Sequence, residues 1–281
     1  MDKHKITLEQ LNAYERYLIE EERSTGTIKK YLRDVGAFCS WLKDRMVTKE
    51  IAVEWKTYLL SQNYAPVTIN GMLSALNGFF ALLGWNECRV KFLKIQRKMF
   101  QDSRRELTFP EYIRLVETAR AQGKERLALL MEAICSTGIR VSEVKYLTVE
   151  SARMGKAEIS LKGKVRIILI PKKLANKLLK YAKKCKIASG EIFLTGSQKS
   201  MSRCQIWSEM KSLCQDAQVD TEKVFPHNLR HLFAVSFYKV CKDIVRLADV
   251  LGHSSIETTR IYLVTSGAEH AKMMERLRLV L

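Results

Sequence analysis

Residues 226–234 read PHNLRHLFA, and further along residues 251–262 read LGHSSIETTRIY. The chain has five histidines, and three of them, His227, His231 and His253, fall in these two stretches beside Arg230 and Tyr262. Pro226 is suited to open a helix, because its ring pre-sets φ and its missing N–H is not needed in the first turn. On such a helix Leu229, Leu232, Phe233, Ser236, Phe237 and Val240 form the expected buried face. His227, Arg230 and His231 form a separate stripe, since residues three and four apart are helical neighbours. Two histidines at that spacing are half of a zinc protease motif. The motif needs a glutamate base after the first histidine, where this chain has Asn228, and Arg230 would repel the cation. Histidine, arginine and tyrosine together suit phosphoryl transfer without metal: the guanidinium is a planar fork that matches two phosphate oxygens and stays charged. For His231, a capped core histidine remains the competing reading.

Composition points the same way. The 281 residues suffice for two domains with separate cores. A formal charge of +18 and a pI near 9.6 mark a polyanion binder, because each phosphate neutralised releases condensed counterions. The N-terminal MDKHKITLEQ contains no apolar signal segment, and no run approaches the ~18 apolar residues of a membrane span. Seven scattered cysteines with no Cys-x-x-Cys pair oppose a disulfide framework and fit a reducing, cytoplasmic setting.

Apolar periodicity predicts four helices between residues 7 and about 84. A capping box at Thr7 and Gln10 opens the first, and the last runs from Pro66 to Gly84. Residues 86–107 are basic and weakly periodic, and read as a linker offering Arg89, Lys91, Lys94, Arg97, Lys98, Arg104 and Arg105 to phosphates. The helical pattern restarts with Thr108 as N-cap and a second helix ends at CSTG. KAEISLKGKVRIILIP then gives the clearest β signal, two β-branched runs around Gly163. The remainder reads as helical. Arg140, after a Ser-Thr-Gly break, is placed for presentation from a helix start, with Glu143 three residues on as an ion-pair partner.

TGIRVSE, then KGK in a β-turn, then HNLRH, LGHSS and a tyrosine nine residues after that histidine occur in the order found in tyrosine recombinases, the phage integrase family. The resemblance is strong over residues 106–265; the N-terminal helices resemble the family's core-binding domain. It implies a mostly α protein: a four-helix SAM-like core-binding domain (residues 1–85), the linker 86–107, and a mainly α catalytic domain (108–281) with a small antiparallel sheet. The two domains would close around duplex DNA as a C-shaped clamp.

Residue by residue, the resemblance implies that Tyr262 attacks the scissile phosphate and forms a 3′-phosphotyrosyl link. Arg140 and Arg230 would clamp the non-bridging oxygens, His227 would take and return the tyrosine proton, and His253 would hydrogen-bond the phosphate. A lysine in the β-turn would protonate the leaving 5′-oxygen. The turn LKGKVR is about one residue shorter than the family's usual pattern. The role is placed on Lys162, with Lys164 as the alternative. No metal or other cofactor is expected, and no P-loop is present, in keeping with rejoining that conserves the phosphodiester's energy.

Ser254 and Glu257 predict a capping box, with a helix carrying Tyr262 two turns later. Ser266 and Glu269 predict another, opening a helix over 266–281 whose apolar side would dock in cis or on a neighbouring subunit. Because the helices begin near the N-terminus, a two-domain Xer-like or mobile-element recombinase is expected, assembling as a tetramer on paired DNA sites. Accessory DNA-bending or directionality proteins are possible partners. A type IB topoisomerase and a non-catalytic DNA-binding regulator are the alternatives.

Overall fold

A computed structural model describes residues 3–95, 105–161, 164–263 and 275–276. The chain divides into two compact units, Met1–Arg97 and Lys98–Leu281.

The first unit consists of α1 (Leu8–Glu20), α2 (Thr25–Leu42), α3 (Lys49–Ser61) and α4 (Pro66–Leu82). Thr7 caps α1 in the expected box with Gln10, and Pro66 stands in the first turn of α4. Aromatic side chains fill the core: Tyr14, Phe38, Phe79 and Phe80 are fully buried, and the Tyr14 hydroxyl donates to the Ala75 carbonyl at 2.9 Å. That bond satisfies a phenol that burial would otherwise leave unpaired.

Part of the basic stretch is built into this unit. Asn77 donates to the Val90 carbonyl at 2.9 Å and accepts from the Val90 amide at 2.8 Å. Asn70 does the same with Leu93, at 2.9 and 2.8 Å. Each amide side chain stands in for a neighbouring strand and pins the extended chain to α4. Asn70 is thereby committed to Leu93, and the Thr27 hydroxyl pairs with that of Ser24.

The second unit has α5 (Phe109–Ala121), α6 (Glu125–Thr137), α7 (Val149–Met154), β1 (Lys156–Leu161), β2 (Lys164–Leu169) and α8 (Lys172–Lys184). It continues with α9 (Arg203–Lys211), α10 (Pro226–Cys241), α11 (Ile244–Leu251) and α12 (Ile256–Arg260). The mostly α fold with one small antiparallel sheet is the one expected. β1 and β2 pair from Lys156–Leu169 to Leu161–Lys164. Lys162 and Gly163, which separate them in sequence, lie outside the described residues. Ala157, Ile159 and Ile168 face the core, whereas Val165, Ile167 and Leu169 are exposed. Arg166, two residues from Ile168 on the strand, therefore points inward with it.

Three expectations are corrected here. On α10, Leu229 and Leu232 are buried but Ser236 is exposed and Val240 is 88% exposed. The polar residues Asn228, Arg230 and His231 are buried instead, because α10 packs on α6; His227 alone of the polar stripe stays exposed. The predicted box at Ser254 is displaced by one residue: Ser255 is the N-cap of α12 and its hydroxyl accepts from the Glu257 amide at 3.2 Å. α12 is then short, and Tyr262 sits beyond it in a 3₁₀ turn, Ile261–Leu263. The expected tail helix 266–281 lies outside the described residues except for Glu275 and Arg276, which are helical.

Candidate active site

Gly138 ends α6 in the left-handed conformation, φ +64°. A Cβ there would lie 2.5 Å from the Phe233 ring, so only glycine lets α6 stop against α10. The chain turns at once into a 3₁₀ segment, Val141–Tyr146, whose N-cap is Arg140. Glu143 is buried and holds that arginine from both ends: its Oε1 accepts from Arg140 Nη1 at 3.0 Å and its Oε2 from the Arg140 amide at 3.0 Å. Arg140 Nη2 also reaches the Gly252 carbonyl at 3.3 Å.

Arg230, on the first turns of α10, is only 3% exposed. It donates to the carbonyls of Gly138 and Leu251, the latter at 2.8 Å, and from Nη2 to His253 Nε2 at 2.9 Å. A guanidinium has no acceptor, so Nε2 of His253 must accept, and the ring proton sits on Nδ1. That Nδ1–H meets the Thr259 hydroxyl at 2.8 Å, and Thr259 is fully buried. His253 is thus neutral with a fixed tautomer. Burial first, then Arg230 and Arg140, lower its pKa to about 4.

Tyr262 is 6% exposed and packs with Ala234, Leu247 and Leu251. Its ring lies 5.3 Å from His231, 5.8 Å from His227 and 5.8 Å from His253, nearly parallel to the last. Burial and then Arg140 lower the Arg230 pKa; a hydrogen bond to Tyr262 opposes this. His227 stands at the exposed edge, its pKa lowered by partial desolvation and then by Arg230 and Arg140. His231 is buried with Nε2 making no hydrogen bond, and burial followed by His227 brings its pKa to about 4.

The structure therefore brings five of the six sequence candidates, Arg140, His227, Arg230, His253 and Tyr262, to one place. The sixth, Lys162, lies outside the described residues. An open cleft of about 590 Å³ beside them is lined by Arg140, Glu143, Arg166 and His253. Arg166, Thr259 and the juxtaposition of His231 with Tyr262 were not assigned from sequence. The signal for Arg166 was its alternation with Ile168 on β2 and Ile170 just after it. For Thr259, nothing in the pattern distinguishes it from its neighbour Thr258.

Among the described residues, one grouping could hold a metal, His4, Glu87 and Cys88, in the other unit. Burial and then Glu87 push the Cys88 thiol up to about 11, and His4 Nε2 is already engaged with Glu87 at 2.7 Å. Those are properties of a packed cluster rather than a ready cation site.

A compact helical unit, followed by a helical unit with one hairpin and a converging Arg–His–Tyr centre, defines a class of DNA strand-exchange proteins. Residues 105–268 match the phage integrase family, and residues 11–87 match the family's N-terminal SAM-like domain. The chain belongs to the phage integrase family. It is 28% identical to the tyrosine recombinase XerA of Pyrococcus furiosus, over 97% of this chain and 95% of that one. It is 26% identical to XerD of Haemophilus influenzae, over 92% and 94%. Among solved structures, a lambda integrase dimer bound to a COC′ core site superposes with a TM-score of 0.72, at 18% identity over 92% of this chain and 77% of that one. XerH bound to its difH substrate gives 0.67, at 19% identity over 95% and 84%. Among the described residues, no helix is long and apolar enough to cross a membrane.

Proposed function

We propose that this protein is a site-specific DNA recombinase, a tyrosine-type strand transferase that cuts and rejoins duplex DNA through a covalent 3′-phosphotyrosyl intermediate at Tyr262. The observation that carries the reading is the packing of three histidine rings around Tyr262, with Arg230 bonded to His253 and Arg140 lining, with His253, the adjoining cleft. A free phenol has a pKa of ~10, so ionising it at pH 7 costs about 4 kcal/mol unless a base or clustered cations offset that. His227, with its lowered pKa, is neutral near pH 7 and able to take the proton. Arg140 and Arg230 stabilise the charge that builds on the non-bridging oxygens, in the place divalent cations hold elsewhere. His253 begins as an acceptor toward Arg230. To donate to a phosphate it must gain a proton at Nε2, which the phosphate's negative charge favours. Lys162, or Lys164, protonates the leaving oxygen.

In this reading residues 1–85 are the core-binding domain, 86–107 a basic linker and 108–281 the catalytic domain, with a tetramer forming on paired sites. A solved lambda integrase tetramer on a Holliday junction shares the fold, with a TM-score of 0.71. The net charge of +18 supplies the attraction to DNA, and the compartment is the cytoplasm. The recombinase names of the relatives do not favour the topoisomerase or regulator alternatives.

The test uses a nicked duplex bearing the site recovered by sequencing DNA crosslinked to the protein in its host. Wild type should form an SDS-resistant adduct in the presence of EDTA. Tyr262→Phe should bind the duplex and form none. An adduct that persists in Tyr262→Phe, or one that requires Mg²⁺, would refute the reading.

A further inference from the structure

Arg166 is the third guanidinium of the site, and with Arg140 it lines the cleft. It faces inward from β2 opposite Ile159, with its side chain 14% exposed. Nη1 donates to the Leu251 carbonyl, the same oxygen that Arg230 reaches at 2.8 Å. Nη2 lies 3.3 Å from Glu143 Oε2, the oxygen that accepts the Arg140 amide. Gly252 abuts it in the left-handed conformation, φ +60°: a Cβ there would come within 2.7 Å of Arg166 Cδ. Although buried, Nε and Nη2 complete no hydrogen bond, so a costly cation is kept here without full satisfaction.

The arrangement has an electrostatic consequence. A carboxylate paired with one arginine cancels its charge; a carboxylate shared between two leaves a net positive charge on the pair. Among the described residues of this cleft, Arg140 and Arg166 share the one carboxylate of Glu143, while Arg230 bonds His253 beside them. Transfer at phosphorus adds negative charge to the equatorial oxygens, so the first-contact arginine serves best when it is not neutralised from behind.

We propose that Arg166 is a positioning residue that draws off part of the Glu143 charge, keeping Arg140 a net cation toward the scissile phosphate, and ties β2 to the Leu251–His253 turn. This rests on the strand-cleavage reading of the site.

The experiment measures the single-turnover rate of adduct formation at saturating nicked duplex, with Kd and thermal melting in parallel. Arg166→Ala, or Arg166→Met if the alanine variant fails to melt cooperatively, should cleave about 10- to 100-fold more slowly with Kd nearly unchanged. Adding Glu143→Gln to that variant removes the unshared negative charge while keeping an acceptor for Arg140, and should recover about tenfold. A purely scaffolding role predicts the opposite, a double variant slower than the single one. That result, or wild-type cleavage by a folded Arg166→Met, overturns the proposal. An adduct in the parallel Tyr262→Phe control would instead overturn the cleavage reading itself.

Discussion

Thr259 tests the tautomer argument most directly. Its hydroxyl is the acceptor for His253 Nδ1–H at 2.8 Å, and Arg230 Nη2 fixes the other nitrogen as an acceptor at 2.9 Å. Thr259→Val keeps the shape of a fully buried side chain and removes the acceptor. The imidazole then has two options. It can keep its proton on Nδ1 without a partner, which costs about 1–3 kcal/mol for a buried donor. It can instead move the proton to Nε2, where it meets the Arg230 donor head-on. Either way stability falls by about 1–3 kcal/mol, roughly 2–4 °C of melting temperature per kcal/mol for a unit of this size. The cleavage rate falls with it, because His253 no longer holds one orientation. Urea unfolding and the nitrogen NMR shifts of the labelled His253 ring measure the two effects. Thr259→Ser, which keeps the hydroxyl, should retain the wild-type tautomer. If Thr259→Val unfolds at the wild-type midpoint with the proton still on Nδ1, the hydrogen-bond assignment is wrong.

Two further expectations concern the lysines and pH. A 5′-bridging phosphorothioate leaves without needing a proton, so it should rescue cleavage by Lys162→Ala, while Lys164→Ala should cleave ordinary DNA nearly as wild type does; the reverse pattern moves the general acid to Lys164. His231 and His253 have folded-state pKa values near 4, below the ordinary 6.5, so the unfolded chain binds more protons between those values. Stability present above about pH 6.5 should therefore be lost as the pH falls toward 4, and His231→Phe should flatten that fall; an unchanged pH slope of the urea midpoint in the variant refutes it.

The class of protein was legible because its chemistry is concentrated in short, ordered motifs. TGIRVSE, HNLRH and LGHSS followed by Tyr262 name the same residues that the fold gathers, and the caps at Thr7 and Thr108 form as the local sequence dictates. Those features depend on near neighbours along the chain. Others did not follow from the sequence. Both faces of β2 and the residue after it are apolar in sequence, Val165, Ile167 and Leu169 on one and Ile168 and Ile170 on the other. Only packing against the core decides that the face of Ile168 is buried and carries Arg166 inward. On the polar stripe of α10, Arg230 and His231 are enclosed while His227 stays exposed, where α6 ends at Gly138 beside Phe233, a contact across 95 positions (233 − 138). Nothing in the sequence around Asn70 announces that the extended segment after α4 folds back to take its amide. In each case a side chain's role was set by which backbone group, distant in sequence, reached it first, and that competition is settled only in three dimensions.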